Sequence, residues 1–198
     1  MRTAERGYQL IELLIALAIS SLVLAWGIPP LLSLAAGLRV ELAAAEVAST
    51  FHAARFHAIR YDANVGLKFH VAADGTVTWA LYRDGDGDGV LSADIASGDD
   101  PPVTREVRLA HLGRQIRFGF PPGRAPRDPG DPRRRLDRLE DPVRFNRSDI
   151  AAFSAIGTAT PGTVYITDGI RHLGAARVTG STGRPDRLAY DVTTERWR

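Results

Sequence analysis

The chain has 198 residues, no cysteine and a formal net charge of +2, with 44% apolar residues. That length suits one domain plus an anchor, or one larger domain, and the missing thiols exclude a disulfide framework or a thiolate metal centre. Acidic and basic side chains nearly balance, which excludes a global basic field, although the positive charge is almost all arginine, with Lys68 the single lysine.

The first residues, MRTAERG, carry Arg2 and Arg6, and the run from Leu13 to Leu38 contains no charged side chain. A bilayer core takes about 20 apolar helical residues, so a transmembrane helix is predicted over about residues 13–36. Positive flanks stay cytoplasmic, which places the N-terminus inside and the rest of the chain outside. A cleavable secretory signal has a shorter apolar region with its cleavage site after it. Here the run is longer, and the sharp break in character lies before it, at Arg6-Gly7-Tyr8. Glu12 stands at the edge of the span, where a charge in lipid costs several kcal/mol and calls for a partner.

The segment Gly7-Tyr8-Gln9-Leu10-Ile11-Glu12-Leu13-Leu14 resembles the class III signal of type IV pilins and type II secretion pseudopilins. That signal has a glycine, an aromatic residue, three further residues, a glutamate and then an apolar helix. The resemblance implies a leader over residues 1–7, cleavage between Gly7 and Tyr8 by prepilin peptidase, and N-methylation of the new Tyr8 amine. It also implies that Glu12 pairs with the N-terminal amine of a neighbouring subunit during assembly. A buried carboxylate beside a cation is tolerable on physical grounds. Two departures are Tyr8 in place of the usual Phe and Gln9 in place of the usual Thr. Pro29 falls where many pilins carry a helix-kinking proline, and Pro30 doubles it. The pair is expected to break the helical ladder locally. An uncleaved signal anchor with an interfacial Glu12 is the plain alternative.

Beyond the span, Val40, Ala44, Val47, Phe51, Ala54 and Ala58 recur at spacings of three and four, one helical face. The helix is therefore predicted to run to Tyr61, with that face on a core. His52 and His57 are five apart, on different faces, and do not form a metal pair. From residue 62 the pattern changes to short β-branched runs. Strands are predicted at Val65–Val71, Thr76–Tyr82, Val103–Leu109, Gln115–Phe120, Val143–Asn146, Thr163–Thr167, Ala175–Thr179 and Leu188–Val192, with Asp74-Gly75 a hairpin signal between the first two. The expected fold is α+β: a long N-terminal, partly transmembrane helix over residues 8–61, packed on an antiparallel sheet or sandwich head over 62–198.

The resemblance extends into this head. ASTFHAARFHAIRYDANVGLKF looks like the helix-to-first-strand region of the GspH/FimT minor pseudopilins. Phe153-Ser154-Ala155-Ile156-Gly157, Gly162-Thr163-Val164-Tyr165-Ile166 and Gly183-Arg184 resemble that family's late strands and near-terminal turn. Residues 84–102 and 121–142 read as insertions. In the first, Asp84, Asp86 and Asp88 alternate and Gly89 follows, the opening of an EF-hand-like calcium loop to which Val90 would add a carbonyl oxygen. The closing acid falls at Asp94, one residue early, because Ile95 occupies the expected position. A solvated acidic turn is the alternative. The second insertion, rich in proline and mixed charge, reads as an exposed, poorly ordered loop. Its Arg133-Arg134-Arg135 is a candidate for phosphate or an acidic partner surface.

No P-loop, dinucleotide fingerprint, HExxH or GxSxG is present, and no catalytic role is expected. His70, His111 and His172 lie in unrelated contexts. The resemblance implies a minor pseudopilin of a type II secretion system, single-pass in a bacterial inner membrane with a periplasmic head. It needs no cofactor, although calcium is a candidate, and its partners are other pseudopilins, prepilin peptidase, the inner-membrane assembly platform and the bilayer. The alternative is a type IV minor pilin used in pilus biogenesis or DNA uptake, for which Arg133–Arg135, Arg184, Arg187, Arg196 and Arg198 are the features in favour.

Overall fold

The computed structural model describes residues 2–198 except Ala73, residues 110–112 and Arg114, with helical side chains described from Leu10 onward. His111 therefore lies outside the described residues. The chain forms two compact units, the first ending at Ala36 and the second spanning Gly37–Arg198.

Helix α1 covers Arg2–Tyr61. From Leu13 to Ala36 it carries no charged side chain, and Leu13, Leu17, Val23, Leu24 and Trp26 are all exposed. A helix of this kind has no aqueous face to offer, and it is long and apolar enough to cross a membrane. The expected break at Pro29-Pro30 does not end it, since helical geometry runs through both prolines. Their missing N–H groups leave the carbonyls of Ala25 and Trp26 without the usual donors four residues on, while the bonds on either side keep the helix in register.

In the second unit the predicted face of α1 is buried in full: Val40, Ala44, Val47, Phe51, Ala54 and Ala58, joined by Ala43 and Ala48. Strands β1 (Val65–Val71) and β2 (Val77–Arg83) form the predicted hairpin. Its turn is held by Asp74, whose carboxylate accepts the Thr76 N–H at 2.8 Å, and by Gly75 at a φ of +80°, a conformation that glycine adopts without strain. The remaining elements are α2 (Ser92–Ser97), β3 (Val107–Arg108), β4 (Arg117–Phe118), β5 (Val143–Arg144), β6 (Ile150–Phe153), β7 (Gly162–Thr167), β8 (Leu173–Thr179), β9 (Arg184–Asp191) and β10 (Arg196–Trp197). They build two antiparallel sheets, one ordered β3-β2-β1-β6, the other β10-β9-β8-β7-β4 with β5 also paired to β7.

One apolar core joins α1 to both sheets, with Leu67, Phe69 and Trp79 from the first and Phe118, Val164, Ile166, Ala176 and Val178 from the second. The helix meets β8 at Gly174, where a Cβ would lie 3.1 Å from Val40 and 3.3 Å from Ala44. The missing side chain is what lets helix and strand approach this closely.

A smaller cluster lies on the other side of the second sheet. Leu136 is buried there against Tyr165, Leu173 and Ala175, with Phe120, Leu139, Leu188, Tyr190 and Trp197 around them. Alternation along each strand explains it: Val164 and Ile166 point to the main core and Tyr165 to the other face. The cover is the 121–142 segment. Read from composition as poorly ordered, it is tied down instead. Trp197 Nε1 donates to the Arg127 carbonyl at 2.7 Å, Arg177 Nη1 to the Pro129 carbonyl at 2.9 Å, and the Arg127 N–H to the Tyr190 hydroxyl at 3.3 Å. The Arg144 guanidinium donates to the carbonyls of Asp137, Arg138 and Asp141.

The β7–β8 turn carries a buried acid. Asp168 Oδ1 accepts the N–H groups of Ile170, Arg171 and His172 at 2.9, 3.0 and 3.0 Å, and Oδ2 meets His172 Nδ1 at 2.6 Å. Burial alone would raise its pKa, but the His172 ring and the three N–H donors outweigh that and hold it at about 2, against an ordinary 3.8. A depressed pKa stabilises the fold above the unfolded value and loses that contribution as pH falls through the folded one. Asp168→Asn is therefore expected to cost about 2 kcal/mol at neutral pH and to flatten the stability loss between about pH 4 and pH 2. Acid-unfolding curves measured by circular dichroism check this, and superimposable curves would remove the role.

Candidate functional site

The N-terminal motif lies within α1. Gly7 and Tyr8 belong to its helical backbone, and the Tyr8 side chain is outside the described residues. Glu12 is exposed, four residues along the helix from Tyr8, where the apolar stretch begins. Among the described residues no basic group pairs with it. The helix thus presents a carboxylate at the mouth of an apolar run, an arrangement that in lipid requires a pairing cation.

The acidic loop follows β2. Asp84, Asp86 and Asp88 bring carboxylate oxygens within 4.8 Å of one another. Asp84 is buried, its Oδ1 accepting the Gly87 N–H at 2.7 Å and its Oδ2 the Asn64 amide at 2.7 Å and the Gly89 N–H at 3.0 Å. Burial opposes its ionisation, yet these donors prevail and lower its pKa. Asp86 and Asp88 face solvent. Val90 is buried, its side chain seated in the notch left by Gly66, where a Cβ would come within 2.8 Å of it. Asp94 falls in the first turn of α2, outside the 4.8 Å group, yet its Oδ2 is buried with no hydrogen-bond partner. Partial desolvation and the charge of Asp86 push the carboxyls of both Asp88 and Asp94 up, and the charges of Asp100, Asp99 and Asp84 add to this at Asp94.

The residue that closes the loop escaped the sequence reading. Asp100 is completely buried, and its carboxylate accepts the Gly85 N–H at 3.1 Å and the Leu91 N–H at 3.0 Å, clamping both limbs. An acid that works on backbone donors leaves no spacing pattern to read.

The arginines divide unevenly. Arg135 is committed to Glu195 through two bonds of 2.9 and 2.7 Å. Arg184 pairs with Asp186 at 3.1 Å and Arg198 with Asp191 at 3.0 Å. Arg133, Arg134, Arg187 and Arg196 are exposed. His57 stacks on Tyr61 with ring centroids 5.5 Å apart, while His52 and His70 are exposed.

Comparison with protein-family models, with curated proteins and with solved structures gave no match.

Proposed function

We propose that this chain is a pilin-like subunit, a minor pseudopilin of a type II secretion system. In this reading it is cut after Gly7 by prepilin peptidase, methylated on the Tyr8 amine and assembled through α1 into a periplasmic filament. The observation that carries the reading is Glu12, a carboxylate without a partner among the described residues, set at the entry of an exposed apolar helix directly after Gly7-Tyr8. A free amine on a neighbouring Tyr8 supplies the cation that such a group needs. The α+β head with α1 built into its core also supports the reading, because it leaves the apolar half of the helix for lipid or for other helices. The test is the N-terminal residue and intact mass of the membrane-extracted chain, with and without prepilin peptidase. A methylated Tyr8 start seen only with the peptidase is the expected result. A Met1 start under both conditions would leave an ordinary membrane anchor.

The type IV minor pilin reading, with DNA as ligand, rests on the exposed Arg133, Arg134, Arg187 and Arg196. Phosphate-driven binding falls steeply with salt, so a flat salt response would remove it.

For the acidic loop we propose a calcium ion held by Asp84, Asp86 and Asp88, with the Val90 carbonyl and Asp94 completing the oxygen set. What supports this is the donor chemistry, three hard carboxylates within 4.8 Å, together with the orphaned Oδ2 of Asp94. A bound dication would neutralise the crowding that raises Asp88 and Asp94. Calcium at a hundredfold excess over its Kd is expected to stabilise the head by about 2.7 kcal/mol, read as a rise in melting temperature that Asp86→Asn/Asp88→Asn abolishes. A calcium titration that leaves the melt unmoved would return the loop to a plain acidic turn.

A further inference from the structure

A second charged feature lies on the outer face of the second sheet. Arg124, Arg127 and Arg135 converge on the single carboxylate of Glu195, at 3.4, 3.5 and 2.7 Å. Arg171 lines the same cavity, of about 130 Å³, whose walls include Pro121, Pro122 and Pro126. Three guanidinium groups thus share one acid, and a fourth arginine stands on the cavity wall. Arg135 is engaged, its Nη2 by both Glu195 oxygens and its Nη1 by the Ala125 carbonyl, while the Arg124 side chain is 74% exposed and Arg171 is exposed as well. The cavity is well below the roughly 300 Å³ at which small-molecule pockets begin. It has room for the tip of an acidic side chain, held between stiff proline walls.

We propose that this arginine pocket receives the acidic loop of a second copy of the chain. The pocket already shows the chemistry: Arg135 Nη2 donates charge-assisted hydrogen bonds to both Glu195 oxygens, a contact about twice as strong as a neutral one. The chain also carries a fitting occupant. Residues 84–100 hold six aspartates and no basic residue, and Asp86, Asp88 and Asp99 are exposed. An extended polyanion fits less well, because Asp128, Asp131 and Asp137 stand on the same segment as the arginines.

Loop and pocket belong to different sheets, so the contact joins two unlike surfaces. Such a contact either closes reciprocally, each loop in the other copy's pocket, or leaves one pocket and one loop free and propagates head to tail. This inference deepens the filament reading without depending on cleavage at Gly7.

The test uses the full chain in detergent micelles, with a calcium chelator present, and reads self-association by sedimentation as a function of salt. Arg124→Glu/Arg171→Glu and Asp86→Arg/Asp88→Arg alter exposed side chains only. Each alone is expected to weaken association at least tenfold at low salt, and mixing the two variants is expected to restore it, now as a mixed species. Association unchanged by either reversal, or not restored on mixing, would overturn the proposal. So would a result in which the arginine reversals abolish oligonucleotide binding and leave self-association intact, since the pocket would then serve nucleic acid. Intact mass on the same samples separates the two readings: uncleaved chains that still associate through these charges would keep this contact and remove the Gly7 assignment.

Discussion

Phe51→Ala is expected to cost the head about 3–5 kcal/mol, the usual range for a fully buried phenylalanine. Phe51 has no exposed surface, and its ring lies 6.2 Å from that of Phe69, 5.5 Å from Phe145 and 6.2 Å from Phe153. Phe69 belongs to β1 and Phe153 to β6, while Phe145 directly follows β5, so one helical side chain fills space shared by both sheets. Such a site has few ways to collapse, because the surrounding rings are held by paired strands and cannot all move inward. At roughly 2–4 °C per kcal/mol for a chain of this size, the melting temperature is expected to fall by about 10 °C. Phe56→Ala, at an exposed position on the same helix, serves as the control and is expected to stay within about 0.5 kcal/mol. Equal losses in the two variants would mean that α1 does not anchor the core.

Gly7→Ala is expected to leave the chain at full length in the membrane, with Met1 still present by intact mass. In the proposed reading the bond after Gly7 is cut between a basic leader and an apolar helix, and a membrane-embedded peptidase would have to bring its catalytic groups close to backbone there. A Cβ at that point obstructs the approach, and the effect on processing is expected to approach all or nothing. The substitution is otherwise mild, since alanine favours a helix by about 1 kcal/mol over glycine, so loss of the product cannot be ascribed to a broken α1. Normal maturation of this variant would sink the assignment. The readout is unaffected by head stability, which separates it from the Phe51 experiment.

The head was legible in the sequence where periodicity is strict. All six positions predicted for the buried face of α1 are buried, and the β1–β2 hairpin forms around Asp74-Gly75. Strand β6 escaped because Ile150-Ala151-Ala152-Phe153 is short and alanine carries little strand preference; its place beside β1 is a matter of tertiary packing. Strand β9 begins at Arg184, four residues before the prediction, because Arg184-Pro185-Asp186-Arg187 reads as a turn until Val178 is seen opposite Pro185. Strand β10 was hidden in the same way, as two residues after a turn. The 121–142 segment departs from expectation for a different reason. Its composition is that of an unstructured linker, but what orders it lies 60 or 70 residues away, in Glu195 and Trp197. Of the acidic loop, the alternating aspartates could be read from spacing. Asp100 could not, and the arginine pocket even less, since its members come from three separate stretches of chain.

The core is also a constraint on time. Its helical half, Val40 to Ala58, is the first part of the head to be synthesised, and its partners Gly174, Ala176 and Val178 on β8 are among the last. Contacts so distant along the chain close slowly. Until β8 has been delivered, Val47 and Phe51 have no second sheet to rest on. A chain halted before residue 173 would hold an apolar helical face with half its cover missing, so an emerging head is vulnerable to aggregation and proteolysis until nearly its whole length is out.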